Sequence, residues 1–129
     1  MSDPATIATR LEGLADVRVL VVGDVMLDQY VSGAVERVSP EAPIPVLRIE
    51  HEQSALGGAG NVARNVAALD GRASLLATVG GDDAGRRVRA LLAAEHDIEP
   101  ILIEVAGRPT TVKTRYLAGT QQMMRADRE

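Results

Sequence analysis

The chain has no cysteine, no phenylalanine and no tryptophan. Its 129 residues include only two tyrosines, Tyr30 and Tyr116, and two histidines, His51 and His96. Without cysteine there is neither a disulfide framework nor a thiolate zinc site, which fits a reducing cytoplasm. Two histidines do not furnish a histidine-rich metal centre, and both read as surface residues. Scarce aromatic rings and a net charge of −4 exclude the basic, ring-bearing face that nucleic acids require. The longest purely aliphatic run, Val19-Leu20-Val21-Val22, is far too short to span a bilayer. The first residues, Met1-Ser2-Asp3-Pro4, lack the basic start and apolar stretch of a secretory signal. The expectation is a soluble, cytoplasmic chain without nucleic-acid or membrane partners. Apolar residues make up 46%, enough to pack the core of one domain or a little less, built from Val, Leu, Ile, Ala and Met.

What the chain does have is a glycine cluster, Gly57-Gly58-Ala59-Gly60-Asn61, running into Val62, Ala63, Val66 and Leu69 at helical spacing. A glycine loop feeding a helix N-terminus offers backbone N–H groups and lets a ligand approach closely. Asn61 adds a side chain that both donates and accepts hydrogen bonds. The same glycines also serve as a tight turn. The Gly-Lys-Ser/Thr of a nucleotide P-loop is absent, and so is the dinucleotide G-x-G-x-x-G.

Along the chain, Asp3-Pro4 followed by Ile7, Leu11 and Leu14 predicts a short amphipathic helix. Val17–Val22 predicts a central parallel strand buried on both faces, with Asp24 and Asp28 near its C-terminal end, where open α/β sheets place ligands. Residues 30–53 carry Pro40, Pro43 and Pro45 and predict an irregular, edge-like excursion with a short strand at Val46–Ile49. Ala73–Val79 predicts a second buried strand. Asp82 or Asp83 can cap a helix with Val88, Leu91 and Leu92 inward and Arg86, Arg87 and Arg89 in solvent. Strands follow at Ile101–Val105, Thr110–Leu117 and Gln121–Asp127. The layout implies an α/β core from residues 1–29 and 54–100. Residues 30–53 and 101–127 would pair into a small second sheet, since neither excursion is stable alone.

Lys113 and Arg115 lie two apart and share a strand face. Arg125 joins them if the turn at Ala118-Gly119-Thr120 has three residues, and faces away if it has two. The cations either protect a sheet edge or bind phosphate.

Gly57-Gly58-Ala59-Gly60-Asn61-Val62-Ala63 resembles the N-terminal signature of the ribokinase-like carbohydrate kinases. Val21-Val22-Gly23-Asp24-Val25-Met26-Leu27-Asp28, the segment from Val38 to Val46, and Gln121-Gln122-Met123-Met124-Arg125-Ala126-Asp127 narrow the resemblance to the heptose 7-phosphate kinases of that family. It covers nearly the whole chain. One departure is Asp70, where the signature usually has Gly or Ser, with the helix expected to end at Gly71 instead. The resemblance implies an α/β ribokinase-like sandwich with a small β-lid over the sugar, and a homodimer formed through the lid. It implies transfer of the γ-phosphoryl group of ATP, with Mg²⁺, to the anomeric hydroxyl of D-glycero-D-manno-heptose 7-phosphate, in lipopolysaccharide core synthesis. Carried over by position, Asp28 would accept sugar hydroxyls, Gly57, Gly58 and Asn61 would form the sugar loop, and Lys113, Arg115 and Arg125 are candidates for the 7-phosphate. Asp127 reads as structural.

The family's second signature, a glycine-rich Asp-Thr-x-Gly-Ala-Gly-Asp segment bearing the catalytic base and the anion hole, does not occur in these residues. No catalytic or metal-binding residue is therefore expected here. ATP and Mg²⁺ would be held mainly elsewhere in a protein of roughly 300 residues or more, a size implied by the resemblance. Residues 1–129 alone are expected to be inactive, and their sheet to show an unpaired edge and an uncovered apolar face. Two other readings stay open: a ribokinase-like kinase for another sugar or sugar phosphate, and a non-catalytic dimerisation fragment.

Overall fold

A computed structural model describes residues 17–129 and, before them, Asp3, Thr6, Thr9 and Gly13. The helix expected over Ile7, Leu11 and Leu14 lies outside the described residues. The elements run β1 (Arg18–Val22), β2 (Val25–Val38), β3 (Pro45–Gly58), α1 (Ala59–Ala67), β4 (Arg72–Val79), α2 (Asp83–Ala93), β5 (Ile98–Glu104), β6 (Val112–Ala118) and β7 (Gln121–Arg128). They form two sheets. The first is parallel, in the order β1-β4-β5, and the second is mixed, in the order β3-β2-β6-β7.

One core joins the two sheets. Ala73, Leu75, Ala77 and Val79 alternate inward along β4, as a strand covered on one face requires. They meet Ala63 of α1, Val88 and Leu92 of α2, Val25 and Leu27 of β2, Leu56 of β3 and Val112 of β6. Helix α2 follows expectation, with Val88 and Leu92 buried and Arg86, Arg87 and Arg89 in solvent. Helix α1 follows it in part. Ala63 is buried and Val66 packs against the core, together with Gly60, while Val62 and, beyond the helix end, Leu69 are half exposed. A Cβ on Gly60 would stand 3.0 Å from Leu56 Cβ and 3.1 Å from Val25 Cγ2, so this side of α1 sits close against β2 and β3.

Among the described residues strand β1 pairs only with β4, and Leu20 and Val22 are more than 60% exposed, the unpaired edge and bare apolar face expected of these residues alone. With Ile101 and Ile103 of β5, also exposed, they give the parallel sheet an uncovered apolar side. Several expectations are corrected. The excursion after residue 30 is not irregular. Strands β2 and β3 are 14 residues each, antiparallel, with register shifts at Ser32/Gly33 and Val35/Arg37. The prolines are accommodated because β3 is an edge strand beginning at Pro45, and Pro40 and Pro43 lie in the connection before it. Residues 101–104, expected with the second sheet, belong to β5 and pair in parallel with β4. The second sheet instead takes in β2 from Val25 and β3 to Gly58.

The end of α1 also differs. The N–H of Gly71 bonds the carbonyl of Val66, and the N–H of Asp70 bonds that of Ala67, the paired bonds of a Schellman ending. Asp70 itself, not Gly71, takes the left-handed backbone, at φ 62°. Among the described residues, no helix is long and apolar enough to cross a membrane.

Candidate sugar site

Asp28 is the centre of the arrangement. Strand β2 places it on the face of the second sheet that also carries Tyr30, and the parallel register sets Asp28 beside Lys113 and Tyr30 beside Arg115. The Arg115 guanidinium donates from Nη1 to Asp28 Oδ1 at 2.7 Å, with both side chains largely buried. The same guanidinium lies 5.3 Å from the centre of the Tyr30 ring. A charge-assisted bond of this kind contributes about 1.5–3 kcal/mol and the ring contact about 0.5–1 kcal/mol. The bond to Asp28 raises the pKa of Arg115, against a smaller opposing effect of burial. Arg115 therefore stays charged and orients the carboxylate.

The glycines explain how the carboxylate is approached. A Cβ on Gly57 would stand 2.5 Å from Asp28 Oδ2 and 2.7 Å from Met26 Cγ. Only glycine leaves this room. Gly58 is the N-cap of α1 at φ 57°, ψ −130°, a conformation glycine alone takes readily, and a side chain there would collide with the Asp24 carbonyl. That carbonyl accepts the N–H of Ala59 at 2.9 Å. The turn after β1 is thus seated against the start of α1. No side chain caps this helix.

Asn61 is not brought to Asp28 by any hydrogen bond in the structure. It lies in the first turn of α1, exposed, and lines with Arg64, Asn65 and Glu95 a separate open depression of about 510 Å³.

The three cations do share a face. The turn joining β6 and β7 has two residues, since Ala118 pairs with Gln121, and Gly119 takes the positive φ of 57° that a tight hairpin turn uses. By turn length alone Arg125 would point away. The register shifts by one between Tyr116 and Leu117, leaving Met123 unpaired, and this bulge returns Arg125 to a position opposite Arg115. Each cation has carboxylate partners. Lys113 Nζ donates to Asp127 at 3.0 Å and Glu129 at 3.1 Å, and Arg125 grips Asp127 through Nε at 2.9 Å and Nη2 at 3.0 Å. Hydrogen bonds from Lys113 hold the Asp127 carboxyl below its ordinary value, and those to Asp127 and Glu129 hold Lys113 above its own. Asp127 is thus the hub of the cation row.

Sequence reasoning did not single out Arg108, whose Nη2 lies 3.4 Å from Asp24 Oδ1 across 84 positions. With Met26, Lys113 and Glu129 they line an open depression of about 260 Å³ next to Asp28. Tyr30 had a usable signal, its two-residue spacing from Asp28, whereas Arg108 had none.

The described residues form no ready cradle for Mg²⁺. No group of three or more His, Asp or Glu among them is placed to hold a metal ion.

The sequence profile of the pfkB family carbohydrate kinases matches residues 16–128. The bifunctional protein HldE of Caulobacter sp. (strain K31) is 56% identical over 124 residues, covering 96% of this chain and 25% of that protein. The D-beta-D-heptose 7-phosphate kinase of Bordetella bronchiseptica is 50% identical over 118 residues, covering 92% and 37%. The chain thus spans about a quarter of the HldE relative and just over a third of the kinase. In fold it is similar to a carbohydrate kinase from Agrobacterium tumefaciens, with a TM-score of 0.68 at 23% identity over 86% of this chain and 35% of that one. It is similarly close to the microbiome-derived acarbose kinase Mak1, with a TM-score of 0.67 at 24% identity over 86% and 36%. The two sheets and the glycine loop are those of a ribokinase-like fold, and the chain belongs to the pfkB family of carbohydrate kinases.

Proposed function

We propose that this chain is the sugar-binding part of an ATP-dependent kinase acting on the anomeric hydroxyl of D-glycero-D-manno-heptose 7-phosphate. The observation that carries a sugar site is the Asp28 carboxylate, gripped at Oδ1 by Arg115 and lying with Oδ2 over Gly57. A carboxylate fixed in this way accepts hydroxyl donors at a set angle, and the bare glycine lets a sugar ring come close. Choice of the heptose is supported by the relative named a heptose 7-phosphate kinase. In this reading the second sheet is the lid. Lys113, Arg115 and Arg125 face the 7-phosphate, and Asn61 closes on the sugar when the lid moves. The uncovered apolar side of the parallel sheet is consistent with further chain packing there.

Phosphoryl transfer draws on ATP and Mg²⁺ for the transferred group and its charge neutralisation. These residues supply the acceptor's binding and orientation, and no step of the transfer is assigned to them. Homodimerisation through the lid fits the exposed Val35, Val38, Ile44 and Ile49 on β2 and β3 and their connection.

A second reading has its own support. Every candidate cation for the phosphate is already matched by a carboxylate, which suits a kinase for a neutral sugar. The test is a thermal-shift and calorimetric comparison of heptose 7-phosphate, fructose 6-phosphate and ribose on the intact native protein. The heptose reading expects heptose 7-phosphate to bind tightest. Tighter binding of ribose supports the second reading, and binding of none of them rejects a sugar site.

A further inference from the structure

The connection from β5 to β6, residues 105–111, is tied to the start of α2 by a polar latch that is buried at Thr110 and half-buried at Asp82. Asp82 is the N-cap of α2, and its Oδ1 accepts the N–H of Gly85 at 2.8 Å. Its other oxygen, Oδ2, accepts the N–H of Thr110 at 2.9 Å. The Thr110 hydroxyl oxygen in turn accepts the N–H of Gly80 at 2.8 Å. Thr110 is 2% exposed, the one buried polar or charged residue among those described. Gly80 and Gly85 make the approach possible. A Cβ on Gly80 would strike the Arg108 carbonyl, and one on Gly85 would strike the Gly80 carbonyl and come within 3.0 Å of Thr110 Oγ1.

A helix cap needs only one oxygen and no partner 28 positions away. The second arm of Asp82 does something else: it fixes where β6 enters the second sheet. The carbonyl of Thr111, next to the latch, accepts the N–H of Leu27 at 2.9 Å. Val112 then pairs with Leu27, Lys113 with Asp28, and Arg115 with Tyr30. Arg115 therefore reaches Asp28 from a strand whose first residues are anchored to the core at Thr110. Arg108, beside Asp24, hangs from the same connection.

We infer that Asp82 and Thr110 are positioning residues of the sugar site, setting the register of β6 so that Arg115 holds Asp28 and Arg108 reaches Asp24. The inference rests on the sugar-site reading above. Neither residue touches the sugar, and both act through Arg115 and Arg108.

The test separates the latch from the cap. Asp82→Ser keeps a good N-cap and loses the reach to Thr110. Thr110→Val keeps the shape and loses the hydroxyl, and Thr110→Ser keeps the hydroxyl. Val88→Ala weakens the α2 core without touching the latch. In the intact native protein, Asp82→Ser and Thr110→Val are expected to lower affinity for heptose 7-phosphate by about tenfold or more. ATP affinity should stay near wild type, and Thr110→Ser should restore sugar binding. Val88→Ala should lower the melting temperature and leave sugar affinity near wild type. If Val88→Ala loses as much sugar affinity as Asp82→Ser, or if Asp82→Ser binds like wild type, the latch has no positioning role. If Asp82→Ser fails to fold, Thr110→Val against Thr110→Ser decides on its own. Asp28→Asn in the same series separates the two levels. Loss of sugar binding there, with the latch variants unaffected, overturns only this inference. Retention of binding in Asp28→Asn overturns the sugar site and the latch together.

Discussion

Replacing Gly57 by alanine probes how closely backbone and carboxylate are fitted. The new Cβ would stand 2.5 Å from Asp28 Oδ2, about 0.9 Å short of the 3.4 Å at which ordinary contact begins. Met26 Cγ, at 2.7 Å, blocks the neighbouring direction. The flexible way out is rotation of Asp28, which draws Oδ1 away from Arg115 and breaks the 2.7 Å bond. A hydrogen bond between charged groups contributes about 2 kcal/mol, which corresponds to roughly a 30-fold change in an equilibrium constant. Because the carboxylate moves, that change should appear as about a 30-fold loss of sugar-phosphate affinity. Moving the β3 backbone instead would cost stability of about 1–3 kcal/mol, as overpacking does. Calorimetric titration of the intact native protein with heptose 7-phosphate, alongside its melting curve, measures both. A Gly57→Ala protein with wild-type affinity and wild-type melting would refute the reasoning.

Asp70→Gly should stabilise the chain. Relieving a non-glycine left-handed residue gains about 1 kcal/mol, and the larger unfolded entropy of glycine takes back part of it; urea unfolding should show a net gain of about 0.5 kcal/mol, and a loss would contradict the φ of 62° assigned to this residue. Asp127→Asn should let the Lys113 ammonium fall back toward its ordinary value of 10.5, because hydrogen bonds to Asp127 are the largest cause of its elevation; an unchanged NMR titration of Nζ would count against the ion pair. Asp127 sits below its ordinary 3.8, so its contribution is present above 3.8 and is lost as pH falls through the lower folded value. That of Lys113 is present below 10.5 and is lost as pH rises through the higher folded value. Melting temperatures across both limits should show the two losses, and Asp127→Asn should remove the acid one. Asn61→Ala in the intact native protein should weaken sugar binding far more than ATP binding; the reverse ranking would assign the loop to the nucleotide.

Local chemistry was legible in the sequence where a residue type leaves little choice. The glycines at 57 and 58, a cap at Asp82 or Asp83 and the two-residue spacing of Lys113 and Arg115 each express a constraint within a few positions. The long, regular hairpin of β2 and β3 was not legible, because Pro40, Pro43 and Pro45 read the same in an irregular excursion and in the connection and first residue of an edge strand. Helix α1 shows the same limit from the other direction. Of its expected apolar face, Ala63 and Val66 pack inward while Val62 and Leu69 do not, and the unforeseen Gly60 is buried instead. The facing of Arg125 turned on a bulge at Met123, which has no marker in composition. The pairs Arg108–Asp24 and Thr110–Asp82 span 84 and 28 positions. Only the path of the β5–β6 connection, past the β1–β2 turn and the start of α2, brings them together.

The central claim is that Asp28 is the carboxylate that binds the sugar in a heptose 7-phosphate kinase. It is tested most directly by calorimetric titration of wild-type and Asp28→Asn intact native protein with heptose 7-phosphate and, separately, with ATP. The account predicts that Asp28→Asn lowers heptose 7-phosphate affinity by about tenfold or more, the loss of a charge-assisted hydrogen bond, with ATP affinity unchanged. Equal heptose 7-phosphate affinity in the two proteins would contradict it.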